Sequence, residues 1–488
     1  MHEAVFFRPD EGYVGDVIPH VQDGEIWLYY LHDERSDPKK GSGWRLVKTR
    51  DFVAFEDAGV ALPAGDPGDP DRNAYTGSVV VTDEAAHIFY TGQNPDVLGE
   101  DGASPVQHVM HAVSKDGLRT WDKDTSFSLD APAGYESGDW RDPFVFRPSE
   151  GEPWRMLITA RHAEGPERRR GVIAQCVSDD LLTWRLVEPF WDPRRYIAHE
   201  CPEVFQWGDW WYLVYSEFSE QFTTRYRIAR SAAGPWQVPT QDTVDGRAFY
   251  AAKSVGLDGR RFFVGWIATK DGERDDGDWQ WAGDMSVLEA YQQKDGSLAF
   301  TLPRELRSSF RSAWPTRLDK PGAATGNAAS DFNEADLSSR DGYQVALSEA
   351  ELPGQFLAHM SVDIRDSTTE CGLVIRATPD GDEGYCLRLE PKRHRMVFDR
   401  WPRRRTGPMQ WQVSGDIPYV VELERPCRLD PGLHTIDVLV DGNALVAVID
   451  DTVALSARIY DRTSGHLGVF VGEGAARFHD ITVSTRDQ

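Results

Sequence analysis

The stretch Trp210-Trp-Tyr-Leu-Val-Tyr215 is short, aromatic and aliphatic, and it returns in altered form four more times within the first three hundred residues. The other copies are Glu25-Ile-Trp-Leu-Tyr-Tyr30, Ala86-His-Ile-Phe-Tyr-Thr91, Trp154-Arg-Met-Leu-Ile-Thr159 and Arg261-Phe-Phe-Val-Gly-Trp266. Each follows a Gly or polar turn and ends near a Tyr or a small polar residue, as a buried strand does. Their starts lie roughly 50–65 residues apart, a spacing that suits four-stranded blades. Three of them are followed by a Ser- or Thr-x-Asp turn, at Thr49-Arg-Asp51, Ser114-Lys-Asp116 and Ser178-Asp-Asp180, leading to Phe55, Trp121 and Trp184. That second element reads as a turn into an outer strand. Five copies predict an all-β fold that begins as a five-bladed β-propeller.

Downstream of Leu302-Pro-Arg-Glu305 the texture changes, and Pro321-Gly-Ala-Ala-Thr-Gly-Asn327 has the low bulk of a linker. The expected organisation is a propeller over 1–305, a linker over 306–330 and a β-sandwich over 331–488. Strand-like runs in the last segment include 343–347, 356–362, 373–377, 385–389, 395–399 and 419–423. Two more, 436–440 and 444–449, flank Asp441-Gly442, a hairpin signal. A Greek-key or jelly-roll sandwich is the natural reading.

Composition narrows the partners. Lys plus Arg number 53 against 79 Asp plus Glu in 488 residues, a net charge of −26. Polyanions are bound by clustered cations, so nucleic acid and anionic membrane surfaces are poor partners. Hydrophobic residues make up 40% of the chain, and no apolar run approaches the ~20 residues of a membrane span. Met1 to Pro9 shows no basic region followed by an apolar stretch, which predicts a soluble, cytoplasmic protein. The five Cys form no Cys-x-x-Cys pair and are expected to be reduced, mostly buried thiols. The 13 His show no metal-ligand spacing and no Gly-rich phosphate loop is present, so neither a metal nor another cofactor is expected.

In a propeller the inner strands converge on a central funnel, so residues just ahead of the repeated run should meet there. Asp16 lies eleven residues before Trp27, Asp142 twelve before Trp154 and Glu200 eleven before Trp211, which predicts equivalent positions in three blades. The matching segments of the other two are Tyr75-Thr76-Gly77-Ser78 and Phe249-Tyr250-Ala-Ala-Lys253. In so acidic a chain a lone Asp is usually solvated; three in register are not so easily dismissed. Carboxylates sharing one concave site repel one another, which raises at least one pKa and separates their roles. This is a glycosidase-like arrangement. Arg141 is placed to keep Asp142 ionised, and the abundant Trp and Tyr suit the apolar faces of sugar rings.

The ordered set Asp16, Tyr75-Thr-Gly-Ser78, Trp140-Arg-Asp-Pro143, Glu200-Cys-Pro202, Tyr250-Ala-Ala-Lys253 and Trp281-Ala-Gly-Asp-Met-Ser286 resembles glycoside hydrolase family 32, the invertase, inulinase and levanase group. The resemblance implies a five-bladed propeller that releases terminal β-fructofuranosyl units with retention of configuration. Carried over by motif, Asp16 is the nucleophile, Glu200 the general acid and base, and Asp142 the residue that holds sugar hydroxyls and stabilises the transition state. Arg141 sits in the same motif. Trp44 and Trp281 would wall the sugar pocket, Tyr75 and Thr76 would contact the ring in place of the family's Phe-Ser, and Tyr250 would meet substrate beside them. Where the family places Asn before the nucleophile and Pro-Asn-Gly after it, this chain has Gly15-Asp16-Val17-Ile18-Pro19-His20. His20 is a candidate for part of the missing polar shell, beside its plainer reading as a structural histidine.

Three alternatives remain open to the sequence. One is a family 43-like inverting furanosidase acting on arabinofuranosides, with a wider carboxyl separation of ~6.5–9.5 Å. Another is a fructosyl-transferring relative sharing the same intermediate. The third is a catalytically inactive sugar-binding protein. The expected partner is a carbohydrate, and the sandwich can extend the substrate cleft or carry homo-oligomer contacts.

Overall fold

The structure, a computed structural model, describes residues 2–3, 5–35, 41–318, 333–401 and 421–487. The low-bulk stretch 321–327 and residues 419 and 420 of one expected strand lie outside them. The chain divides into two compact units, Met1–Ala268 with Trp281–Leu298, and Thr269–Gln280 with Ala299–Gln488.

The first unit consists of successive antiparallel meanders whose inner strands are Tyr13–Gln22, Asn73–Val81, Tyr135–Phe146, Glu200–Trp207 and Phe249–Leu257. Each inner strand packs beside the next, and the fifth returns to the first, closing the cycle of a five-bladed β-propeller. The repeated aromatic runs are the second strands. They read as continuous hydrophobic runs because both of their faces are covered. In Glu25–Asp33, for example, Trp27, Tyr29 and Leu31 join one buried cluster while Ile26, Leu28 and Tyr30 join another. The Ser- or Thr-x-Asp turns are built alike. Thr49, Ser114 and Ser178 accept from the amides of Phe52, Leu118 and Leu181 at 2.9, 3.0 and 2.9 Å. Those three residues are buried with φ of 58°, 67° and 64°, so the side-chain bonds support a backbone conformation that bulky residues seldom adopt.

The inner strands share a second feature, a β-bulge near the funnel. The ladder to the second strand shifts register between Val14 and Val17, Tyr75 and Gly77, Arg141 and Phe144, Glu200 and Glu203, and Tyr250 and Lys253. A bulge leaves backbone groups unpaired, and neighbouring blades satisfy several of them. Trp44 Nε1 donates to Tyr75 O at 3.0 Å, and Thr91 Oγ1 accepts from the Asp142 amide at 2.8 Å. Thr159 Oγ1 lies 3.0 Å from His199 O, and Thr224 Oγ1 accepts from the Ala252 amide at 3.1 Å. Trp266 Nε1 closes the circle by donating to the Asp16 carboxylate at 3.0 Å. Residues of the second or third strand of one blade thus clamp the bulge region of the following blade.

In the second unit the 21-residue strand His466–Arg486 organises the sheet, pairing with Phe310–Trp314, Ala335–Glu351, Gln355–Ile364 and Glu370–Ala377. Its partners change around Gly474, as in a strand that passes between sandwich layers. Gly474 has φ of 146°, and a Cβ there would come within 2.5 Å of Thr368 Cα, so only glycine fits. The expected hairpin is present, with Gly432–Asp441 pairing Ala444–Ile449 around Gly442 and Asn443. Within the stretch expected to be linker, residues 310–314 instead form a strand, because Phe310 and its neighbours pair with the chain's final residues. Val453–Arg458 and His466–Arg486 are further strands that the sequence reading does not pick out.

Replacing Thr91 by Val removes the hydroxyl that accepts from Asp142 and donates to Thr76 O at 3.0 Å. The expected cost is about 1–3 kcal/mol of stability, seen as a lower urea midpoint, and Thr91→Ser should retain most of it.

Candidate active site

The bulges set the geometry of the site. Measured against the ladder, Val14, Tyr75, Arg141, Glu200 and Tyr250 are the last paired residues before each bulge. Asp142 therefore stands one place beyond Glu200, and Asp16 one place beyond Asp142. The expectation of equivalent positions is corrected here: the three carboxylates are staggered, and differences in hairpin length make the counts from the aromatic runs look equal. In three of the five blades the residue at the first bulged position carries a left-handed backbone, with φ of 53° at Asp142, 51° at Cys201 and 52° at Ala251. In a regular strand a one-residue step turns a side chain to the opposite face. Here the bulge re-aims the chain, so all three carboxylates face one cavity.

That cavity has a volume of about 340 Å³. Asp16, Asp142 and Glu200 line it together with Arg141, Tyr75, Thr76 and Trp281, seven of the ten residues singled out from the sequence. Asp16 Oδ2 accepts from Thr76 Oγ1 at 2.5 Å, and Oδ1 accepts from Trp266. Burial, and then the charge of Asp142, push the Asp16 carboxyl above its ordinary value, while Thr76, Trp266 and the Lys253 ammonium act in the opposite sense. Asp142 Oδ2 accepts from the Cys201 amide at 3.0 Å and lies 3.2 Å from Thr159 Oγ1. Glu200 accepts from Arg141 Nη2 at 3.0 Å and from the Tyr250 hydroxyl at 2.5 Å. Burial raises the Glu200 carboxyl; Arg141 opposes this, and the charges of Asp142 and Asp16 add to it.

Several expectations are corrected by position. Arg141 approaches Asp142 only to 3.8 Å and instead pairs with Glu200 and Asp139, so its guanidinium is committed chiefly to those two. Trp44 does not wall the cavity. It is fully buried against Tyr29, where it forms the clamp to Tyr75 described above. His20 lies farther along its strand, opposite Trp27 and away from the cavity lining, so it replaces none of the missing polar shell. Burial lowers its pKa, which favours the neutral ring. Tyr250 is almost fully buried, stacked on Phe222 with ring centroids 4.0 Å apart, and its hydroxyl serves Glu200. The Thr76 hydroxyl is likewise given to Asp16. Trp281 is 40% exposed at the cavity, and its ring packs over Gly15, where a Cβ would come within 2.4 Å of it. The side chain missing before Asp16 is thus the space that Trp281 occupies.

Sequence reasoning missed Trp266 and Lys253 as partners of the carboxylates. Trp266 ends the fifth aromatic run, at the ladder position held by Thr91, Thr159 and Ser216 in other blades, and that alignment was the available signal. Lys253 is buried and donates to Gly77 O at 2.7 Å, a contact across blades that no local pattern announces. Among the described residues no group of His, Cys, Asp and Glu is arranged to hold a metal ion, and no helix is long and apolar enough to cross a membrane. Of the five cysteines, all described as free thiols, four are buried.

Comparison with known proteins bears on the same architecture. The sucrose-6-phosphate hydrolase of Zymomonas mobilis is 26% identical over 303 residues, covering 58% of this chain and 58% of its own length. The raffinose invertase of Escherichia coli is 26% identical over 317 residues, covering 60% and 62%. The chain spans about three fifths of the length of these curated relatives. Among solved structures, the sucrose-6-phosphate hydrolase from Lactobacillus gasseri superposes with a TM-score of 0.73 at 17% identity, covering 99% of this chain and 92% of that one. The exo-inulinase from Aspergillus awamori gives 0.72 at 17% identity, covering 99% and 98%. At such identities the likeness concerns the fold, a propeller followed by a sandwich. The family model for the N-terminal domain of glycosyl hydrolases family 32 matches residues 7–301, and that for the family's C-terminal domain matches 324–485. The chain belongs to glycosyl hydrolases family 32.

Proposed function

We propose that the protein is a retaining glycoside hydrolase that releases terminal β-fructofuranosyl units from short fructosides such as sucrose. The observation that carries this reading is the convergence of the Asp16, Asp142 and Glu200 carboxylates on one cavity, with different partners around each. In the proposed double displacement Asp16 attacks the anomeric carbon of the fructosyl unit, and the bond to the leaving oxygen breaks. Glu200 gives its proton to that oxygen. Water, deprotonated by Glu200, then displaces Asp16 and releases fructose.

The environments support this division of labour. Trp266, Thr76 and Lys253 all favour the charged form of Asp16 against the penalty of burial, as a nucleophile requires. Glu200 is raised from its ordinary value, as a proton donor working near neutral pH requires. Asp142, held by the Cys201 amide, is positioned for sugar hydroxyls, and the exposed indole of Trp281 offers an apolar wall. Tyr75 lines the same cavity as a ring contact. Thr76, Tyr250 and Arg141 are proposed as positioning residues for the two reacting carboxyls.

Asp16→Ala should lower turnover of sucrose at least about a thousandfold, and Glu200→Ala by about 10²–10⁴, with the far-ultraviolet circular dichroism unchanged. Proton NMR of the first-formed fructose should show the β anomer; initial release of the α anomer would remove the covalent role of Asp16. The limbs of the kcat/KM profile should also respond. Thr76→Val removes a hydrogen bond that favours the Asp16 carboxylate, so the acid limb should move to higher pH. Tyr250→Phe does the same to Glu200, so the alkaline limb should move to higher pH.

A further inference from the structure

Among the described residues, five carboxylates line the cavity, Asp16, Asp33, Glu34, Asp142 and Glu200, against two guanidiniums, Arg35 and Arg141. Both guanidiniums are already engaged. Arg141 pairs with Glu200 at 3.0 Å and with Asp139. Arg35 lies 3.6 Å from the Asp33 carboxylate, donates to Trp281 O at 2.9 Å, and stacks on the Tyr13 ring at 3.8 Å. A phosphate monoester carries about −1.5 to −2 charge at pH 7 and is bound by uncommitted cations, amide nests or helix N-termini. The lining residues of this cavity belong to strands and loops, and its charge is acidic beyond the three carboxylates the reaction uses.

We propose that the cavity selects uncharged fructosides and rejects phosphorylated ones, and that Asp33 is a determinant of that selectivity. The inference builds on the fructoside-hydrolase reading and separates this chain from relatives named for sucrose 6-phosphate. Two physical effects act together. The acidic wall repels a phosphate through a low-dielectric, partly closed space, where charge interactions are stronger than in water. The same carboxylates accept hydrogen bonds from sugar hydroxyls, which a neutral leaving group supplies in number. Asp33 has a third influence because it sits beside Arg35, countering a positive charge that would otherwise attract an anion. Between Arg35 and Gly41 the sequence also carries Asp37, Lys39 and Lys40, which lie outside the described residues.

The test compares kcat/KM for sucrose and sucrose 6-phosphate at pH 7, at low and high salt. Sucrose should be favoured by at least about tenfold at low salt, and the gap should narrow as salt screens the repulsion. Asp33→Asn should reduce the preference several-fold by raising the relative rate on the phosphorylated sugar; Glu56→Gln, an exposed change away from the cavity, should leave the ratio unchanged. Equal or faster turnover of sucrose 6-phosphate overturns the proposal. An Asp33→Asn ratio equal to that of the parent overturns the role of Asp33. Failure to hydrolyse either sugar, or any other fructoside, counts instead against the parent reading of the function.

Discussion

An interrupted β-ladder is the constraint on which the site depends. Every inner strand must leave its partner at the funnel, or the carboxylates of Glu200, Asp142 and Asp16 would follow the alternation of a regular strand and point apart. The interruption exposes amides and carbonyls that burial makes costly, and the clamps from Trp44, Thr91, Thr159 and Thr224 answer that cost, while Trp266 holds the Asp16 carboxylate. Blade closure and site geometry are therefore one problem. A clamp residue belongs to the second or third strand of one blade yet holds the inner strand of the next.

Electrostatics sets the second constraint. Carboxylates buried close together oppose their own ionisation, and the protein meets this unequally. Asp16 receives an indole N–H, a hydroxyl and the field of Lys253, while Glu200 is shared between Arg141 and a tyrosine hydroxyl. Arg141 is itself held by Asp139, and Arg161 lies 3.2 Å from that same carboxylate. This chain of alternating charges runs outward from the cavity, so the buried cation beside Glu200 has support behind it. The negative balance that remains at the cavity is a property of the binding site as well as of the net −26 charge of the chain.

The repeated aromatic runs were legible because each second strand is buried on both faces, and burial on both faces leaves a continuous hydrophobic signature. The three carboxylates were legible for a related reason, since each lies in or beside a bulge just ahead of such a run. Their stagger was not. It is defined by ladder register, and residues 200, 142 and 16 reveal their relative positions only against their pairing partners. Trp44 shows the same limit: a tryptophan near a site can wall a pocket or support its floor, and only the direction of its N–H toward Tyr75 O distinguishes the two. Phe310–Trp314 escaped notice because its pairing partner lies more than 160 residues away, at the end of the chain.

By itself the sequence determined the all-β class, the five repeats, the identity of the three carboxylates that meet at the cavity and the acidic character of the molecule, because hydrophobic periodicity and residue chemistry are local properties. The tertiary structure decided which of those residues face the cavity and which support it. It also decided that Trp281 occupies the space left by Gly15, and that Thr76 and Tyr250 serve the carboxylates. These are matters of direction and distance between strands far apart in the chain, and no local pattern encodes them.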